Sequence, residues 1–208
     1  MNSPASDMHI RLFAPVGTSV LLVDVDAERA EVSESMLREQ GYAMAGTANN
    51  VSDLPAMLQA VSADVVMLHA DSIGPDLLET LRTLPENLRC PVVLLSEDGS
   101  SESIHAAVAA GVNAYVVVGV NGGRLRSAID LAKANFSNTT VLREELDEAR
   151  TALRERKIVE RAKGLVMKQK DIDEAEAYEL LRKRAMQKGM RLVDVANMIN
   201  EAADMMGG

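Results

Sequence analysis

Two groups of residues in this chain have types and spacings that bear on chemistry. The first stands at the ends of short apolar runs: Val20-Leu21-Leu22-Val23 leads into Asp24, Val65-Val66-Met67-Leu68 into His69, and Val92-Val93-Leu94-Leu95 into Ser96. A carboxylate, an imidazole and a hydroxyl at one sheet edge are the raw material of a metal-assisted or phosphoryl-transfer site. Magnesium, however, wants several hard oxygen ligands, and transfer to a carboxylate needs a cation to neutralise developing charge. Here Val25 follows Asp24, with Asp26 one place later, and the run from Ala114 ends on the aliphatic Val118. Asp71 lies two residues beyond His69, displaced by about 6–7 Å along an extended chain, so it does not replace an acid at position 69. His69 itself is expected to be a solvated polar residue at a strand end. The single Cys90 and three scattered His residues have no zinc spacing, and Ser96, His69 and Cys90 assemble no nucleophile and base pair. No catalytic residue, metal or cofactor is expected.

The second group is cationic. Arg156, Lys163 and Lys170 recur every seven residues, Lys157, Arg161 and Lys168 occupy an adjoining face, and Arg182, Lys183 and Arg184 follow on a second helical stretch. Like charges at this density repel one another unless an anion lies near. Ala162 and Gly164 are small enough for a phosphate backbone or a partner helix to come close. Ile158, Ala162 and Leu165, and then Tyr178, Leu181 and Ala185, have the spacing of buried stripes beneath these charges.

The charge balance separates the two groups. Of 208 residues with net charge -9, residues 1–149 hold 9 Lys/Arg against 21 Asp/Glu, whereas residues 150–191 hold 13 against 7. An acidic front and a basic island imply two modules, of which only the second favours a polyanion. Five aromatics (Phe13, Tyr42, Tyr115, Phe136, Tyr178) are too few for the stacking platforms of RNA-recognition sheets or OB-folds. No apolar run approaches a membrane span and no signal pattern opens the chain, so a cytoplasmic location without membrane contact is expected.

The elements that must position these residues alternate. Strand-like runs at Val20 to Val23, Tyr42 to Gly46, Val65 to Leu68, Val92 to Leu95 and Ala114 to Val118 interleave with helical stretches at Ala27 to Gln40, Asp53 to Val61, Pro75 to Leu84, Ser101 to Ala110 and Gly123 to Ala134. Five such units predict an α/β flavodoxin-like fold, a doubly wound parallel sheet. Leu125, Ile129, Ala132 and Phe136 form one coiled-coil seam and Leu142, Leu146, Ala149 and Leu153 another. The two are out of phase across the polar Ser137-Asn138-Thr139-Thr140, where the helix must break or shift register. Three further helices are expected at about 142–168, 174–188 and 192–205, the middle one opened by an Asp173/Glu176 capping box and stopped by Gly189. The resulting division is a loose extension over 1–17, an α/β domain over 18–135, a coil over 136–155 that dimerises the protein, and a three-helix module over 156–208. The glycine-rich turn Gly119-Val120-Asn121-Gly122-Gly123 has no dinucleotide or Walker spacing and reads as connection geometry.

The front domain resembles a response-regulator receiver. Such receivers keep paired acids after the first strand, an Asp ending the third, a Ser or Thr ending the fourth and a Lys ending the fifth. This sequence keeps Asp24 and Ser96 but has Val25, His69 and Val118 at the other positions, so it is a degenerate, pseudo-receiver version. The stretch Ile158-Val159-Glu160-Arg161-Ala162-Lys163-Gly164-Leu165-Val166-Met167, with Glu174-Ala175-Glu176-Ala177-Tyr178 and Leu192-Val193-Asp194-Val195-Ala196, resembles the ANTAR module of bacterial transcription antiterminators, and the whole arrangement is similar to the NasT and AmiR type. That resemblance implies binding of leader mRNA stem-loops so that a terminator does not form, genes of nitrate and nitrite assimilation as targets, and control by sequestration on a nitrate/nitrite-sensing NasS-like regulatory protein. Arg156, Lys157, Arg161, Lys163, Gly164, Lys168, Lys170 and Arg182 are then the expected RNA contacts, and Ile129, Phe136, Leu142, Leu146, Ala149 and Leu153 the expected homodimer seam. The alternatives are a phosphorylation-dependent two-component output protein, disfavoured by Val25, His69 and Val118, and an enzyme on a flavodoxin-like sheet.

Overall fold

The structure is a computed structural model that describes residues 17–118 and 125–206. Five parallel strands, β1 (Ser19–Asp24), β2 (Ala43–Ala48), β3 (Val65–His69), β4 (Val92–Ser96) and β5 (Ala114–Val117), form one sheet in the order β2-β1-β3-β4-β5. Side chains alternate across a strand, so each apolar run supplies two cores. Leu21, Val23, Val66, Leu68 and Leu94 face α2 (Leu54–Ala60), α3 (Pro75–Thr83) and α4 (Ser101–Ala110) on one side. Val20, Leu22, Val65, Met67 and Val93 face α1 (Ala27–Glu39) and the start of α5 (Leu125–Lys170) on the other.

The strand order reverses between β1 and β3, and in open α/β sheets the crevice at such a point, beyond the carboxyl ends of the strands, is where ligands sit. Asp24 is the register partner of His69, and His69 of Leu95, the residue before Ser96, which brings Asp24, His69 and Ser96 to this one edge. Asp26 fixes the entry to α1 by accepting the amides of Glu28 and Arg29 at 3.0 and 3.1 Å. Gly41, at φ +85, provides the left-handed exit expected of the helix stop.

Helix α5 is continuous for 46 residues, so the polar tract at 137–140 is a register shift and not a break. The hydroxyls of Thr139 and Thr140 donate back to the carbonyls of Asn135 and Phe136 at 2.9 Å, which keeps these side chains satisfied inside the helix. The six-residue step from Phe136 to Leu142 turns the apolar stripe by about 120° around the axis. Ile129 and Ala132 are fully buried against the sheet of their own chain. Ile129 therefore leaves the expected dimer seam: its apolar surface is already covered.

The described residues fall into two compact units that divide between Thr140 and Val141. In the second, α5 is joined by α6 (Glu174–Lys188) and α7 (Leu192–Met206). The capping box at Asp173 and Glu176 is formed in both directions, and Gly189 ends α6 at φ +63. The small core comprises Ala162, Val166, Ala177, Leu181, Ala185, Val195 and Ala196. Two expected core members stand outside it. Leu165 is half-buried and replaced by Val166, and Tyr178 is 40% exposed because Ala177 takes the inward position. Positions 1–16 of the expected extension and the glycine-rich turn at 119–123 lie outside the described residues. No described helix is long and apolar enough to cross a membrane.

Candidate functional site

At the switch point of the sheet, the Asp24 carboxylate is 1% exposed and fully engaged. Its Oδ1 accepts the Asp26 amide at 3.0 Å, and Arg29, from the first turn of α1, closes on both oxygens, with Nε to Oδ2 at 2.9 Å and Nη2 to Oδ1 at 2.7 Å. The remaining arm of the guanidinium reaches Asp71 Oδ1 at 2.5 Å. Hydrogen bonding to Asp24, assisted by Asp71, raises the Arg29 pKa still further above its ordinary value. Asp71, too far along the chain to replace an acid at position 69, instead anchors the cation that Asp24 holds. The residues present do not fit the divalent ion of phosphoacceptor receivers, because a guanidinium occupies the one buried carboxylate. Among the described residues no group of three or more His, Cys, Asp or Glu is arranged to hold a metal ion.

His69 is not the solvated residue expected at a strand end: its side chain is 8% exposed. Nδ1 lies 3.4 Å from Asp24 Oδ2, outside hydrogen-bond geometry, and has no other partner among the described residues. Burial first, and then the positive Arg29, hold the imidazole pKa below its ordinary value. Ser96 is fully buried, and its Oγ accepts the Asp98 amide at 3.2 Å. Asp98 in turn accepts the Ser100 amide at 2.8 Å and the Ser103 hydroxyl, so the Ser96 side chain organises the loop that enters α4. Val25 and Val118 are 67% and 40% exposed and bring no polar atom to the edge.

The neutral His69 sets a pH dependence. Its folded pKa lies below the unfolded value near 6.5, so between the two the unfolded chain binds the extra proton and stability rises with pH. Wild-type stability contributed by this site is therefore complete above pH 6.5 and declines as the pH falls below it. In urea titrations between pH 7.5 and 5.5, His69→Asn is expected to flatten this decline; an unchanged pH profile would show that His69 titrates freely.

The expected RNA contacts divide into three groups. Arg156, Lys157, Lys168 and Lys170 are exposed and have no carboxylate partner among the described residues. Arg161 pairs with Asp204, and Arg182 lies 3.4 Å from Glu179, both on exposed surface. Lys163 differs in kind: its side chain is 8% exposed and Nζ sits between Glu160 at 2.8 Å and Glu174 at 2.7 Å. These two carboxylates raise its pKa and tie α5 to the start of α6. With its ammonium so engaged, Lys163 is a positioning residue in this state and not a free phosphate donor.

Lys157, Arg161, Gly164 and Lys168 follow one another at helical spacing on a ridge turned away from Ala162 and Val166. The two free ammonium groups bracket Gly164 over an axial distance of about 16 Å. A Cβ built on Gly164 meets nothing within 4 Å, so no packing among the described residues requires glycine there. Arg29 and Tyr178 are the residues whose part the sequence did not disclose. Arg29 left a faint signal as a cation three residues past a helix cap at a strand end; for Tyr178 the sequence favours a core ring over one that stacks a base, and the structure turns it outward.

Comparison with known proteins agrees with this architecture. The model of the response regulator receiver domain matches residues 20–130, and that of the ANTAR domain matches residues 147–199. The transcriptional regulatory protein PdtaR of Mycobacterium tuberculosis is 28% identical over 202 residues, which cover 97% of this chain and 96% of that protein. The nitrate regulatory protein of Klebsiella oxytoca is 38% identical over 55 residues, 26% of this chain and 14% of that protein. Among solved structures, a DNA-binding response regulator of the LuxR family from Staphylococcus aureus superposes with a TM-score of 0.50 at 19% identity, covering 56% of this chain and 98% of that one, which establishes likeness of fold alone. The receiver match spans more than half the sequence, and the chain therefore belongs to the response regulator receiver family, with an ANTAR domain following its receiver.

Proposed function

We propose that this protein is an RNA-binding transcription antiterminator that engages leader stem-loops through its ANTAR unit as a homodimer. The observation that carries this reading is the solvent ridge of α5, where Lys157 and Lys168 stand unpaired on either side of a glycine that the fold does not need. A phosphate backbone can approach a helix closely only where no side chain intervenes, and cations on both sides then meet flanking phosphates. The Arg29 guanidinium on Asp24 supports control by a partner protein in place of control by phosphorylation. The resemblance to the NasT type, with the likeness over 55 residues to a nitrate regulatory protein, supports nitrate and nitrite assimilation genes as targets and a NasS-like nitrate sensor as the sequestering partner in the cytoplasm.

The test is salt-dependent binding of the full chain to a two-hairpin leader RNA, with duplex DNA as competitor. Lys157→Ala and Lys168→Ala are each expected to weaken binding and to make the log–log salt slope shallower by about 0.7–0.9, one phosphate contact apiece. Gly164→Ala is expected to stabilise the helix by roughly 0.5–1 kcal/mol while weakening RNA binding, a divergence that a purely structural glycine does not produce. Arg82→Ala, on the receiver surface, should leave both slope and affinity unchanged. Equal losses from Arg82→Ala and Lys157→Ala, or equal affinity for duplex DNA, would overturn the reading.

A further inference from the structure

Tyr178 is one of five aromatic residues in the chain, and its ring contributes to no core. It stands 40% exposed, one position off the buried Ala177, Leu181 and Ala185 stripe of α6, and its hydroxyl makes no hydrogen bond among the described residues. Beside it opens a groove of about 430 Å³ between α5, α6 and the start of α7, with Val159, Leu192 and Val193 as apolar lining and Arg156 and Arg191 as cations. The groove also contains two carboxylates, each paired with a cation that it shares: Glu155 with Arg191 at 3.1 Å, which also holds Asp194, and Glu160 with Lys163 at 2.8 Å, which also holds Glu174. Of the two lining cations, Arg156 is the one with no carboxylate partner among the described residues.

An exposed π-face above an apolar floor, with a free guanidinium at the rim, is complementary to one nucleotide: the base stacks and its phosphate meets the cation. A partner helix would need apolar surface continuing along a helix face, and the rim here is ionic on both sides. We propose that this groove is a base-stacking subsite, in which one unpaired base of an RNA loop lies on Tyr178 and its phosphate is held by Arg156. The proposal rests on the RNA-binding reading above and adds to it a site on a different face of α5 from the Lys157 and Lys168 ridge. Stacking is tolerant of sequence because every base has a π-face, so this subsite requires an unpaired nucleotide and does not by itself select which.

The experiment uses the full chain and a two-hairpin RNA, with 2-aminopurine at successive loop positions as a second probe. Tyr178→Ala and Tyr178→Leu should each weaken binding roughly 5- to 150-fold with the salt slope unchanged, because no phosphate contact is lost. Tyr178→Phe should bind within about twofold of wild type, since it keeps the ring. Wild type and Tyr178→Phe should quench the 2-aminopurine signal at one loop position, and Tyr178→Leu should not. The leucine variant keeps the apolar lining covered, so it decides the question if the alanine variant melts early. Wild-type affinity in Tyr178→Leu, or a loss that also occurs in Tyr178→Phe, would overturn the subsite while leaving the RNA-binding reading intact. Failure of the wild type to bind hairpin RNA would overturn both.

Discussion

The full chain carrying Leu146→Asp and Leu153→Asp is expected to run as a folded monomer in light scattering at concentrations where the wild type runs as a dimer. Leu142, Leu146 and Leu153 are 63%, 48% and 55% exposed, and with the exposed Ala149 they repeat at the four-three-four spacing of a two-helix seam. None of the four belongs to a core of its own chain, so the substitutions remove no contact that holds either unit together. In a dimer, by contrast, each introduced carboxylate would be desolvated without a partner, at a cost of several kcal/mol, roughly, per site. Helical circular dichroism should stay at the wild-type level. Loss of the second ANTAR unit should also reduce affinity for a two-hairpin RNA far more than for a single hairpin, because the second contact gains from high effective concentration. Identical masses for wild type and variant, with and without RNA, would exclude the seam as the dimer contact.

Arg29→Ala is expected to destabilise the receiver unit by about 3 kcal/mol, the low end of the range for removing one partner of a buried ion pair. Asp24 has no exposed side-chain surface and would lose both arms of its cation, while the Asp26 amide alone would remain. The lower figure applies because Arg29 retains 24% exposure and water can partly replace it. Adding Asp24→Asn should recover much of the loss, since the uncompensated charge is then gone. Urea unfolding of the four-member cycle measures this, and a single Arg29→Ala effect below about 0.5 kcal/mol would show that the guanidinium is incidental. With the pocket so filled, acetyl phosphate and magnesium should leave the mass of the wild-type chain unchanged.

The strands were legible because central parallel strands are buried on both faces and read as unbroken aliphatic runs, such as Val20 to Val23 and Val65 to Leu68, flanked by turn residues. Helix ends were legible where a cap has its own chemistry, as at Asp173 with Glu176 and at Gly41 and Gly189. The polar tract at 137–140 left a break and a register shift both open because Ser, Asn and Thr disfavour helix interiors in isolation; once the helix is propagated from both sides, the Thr hydroxyls bond to carbonyls one turn back and the penalty is small.

By itself the sequence determined the doubly wound order of elements and the segregation of cations into the last third, since both depend on residue type and local periodicity, while its resemblance to receivers marked Val25, His69 and Val118 as departures from their acids and lysine. Tertiary structure alone decided how those residues are used. Stripes through Ala177 or through Tyr178 satisfy the same helical spacing, and only the neighbouring helices choose which turns inward. Lys163 and Lys157 look alike in a charge pattern, yet Glu174, brought across the turn between α5 and α6, captures one and leaves the other free. Ile129 and Leu146 are equivalent in a heptad, but the sheet covers the first, whereas the second belongs to no core among the described residues and is 48% exposed. Arg29 and Asp71, 42 residues apart, meet only because β1 and β3 are adjacent in the sheet, which places a guanidinium on Asp24 where periodicity gives no hint of one.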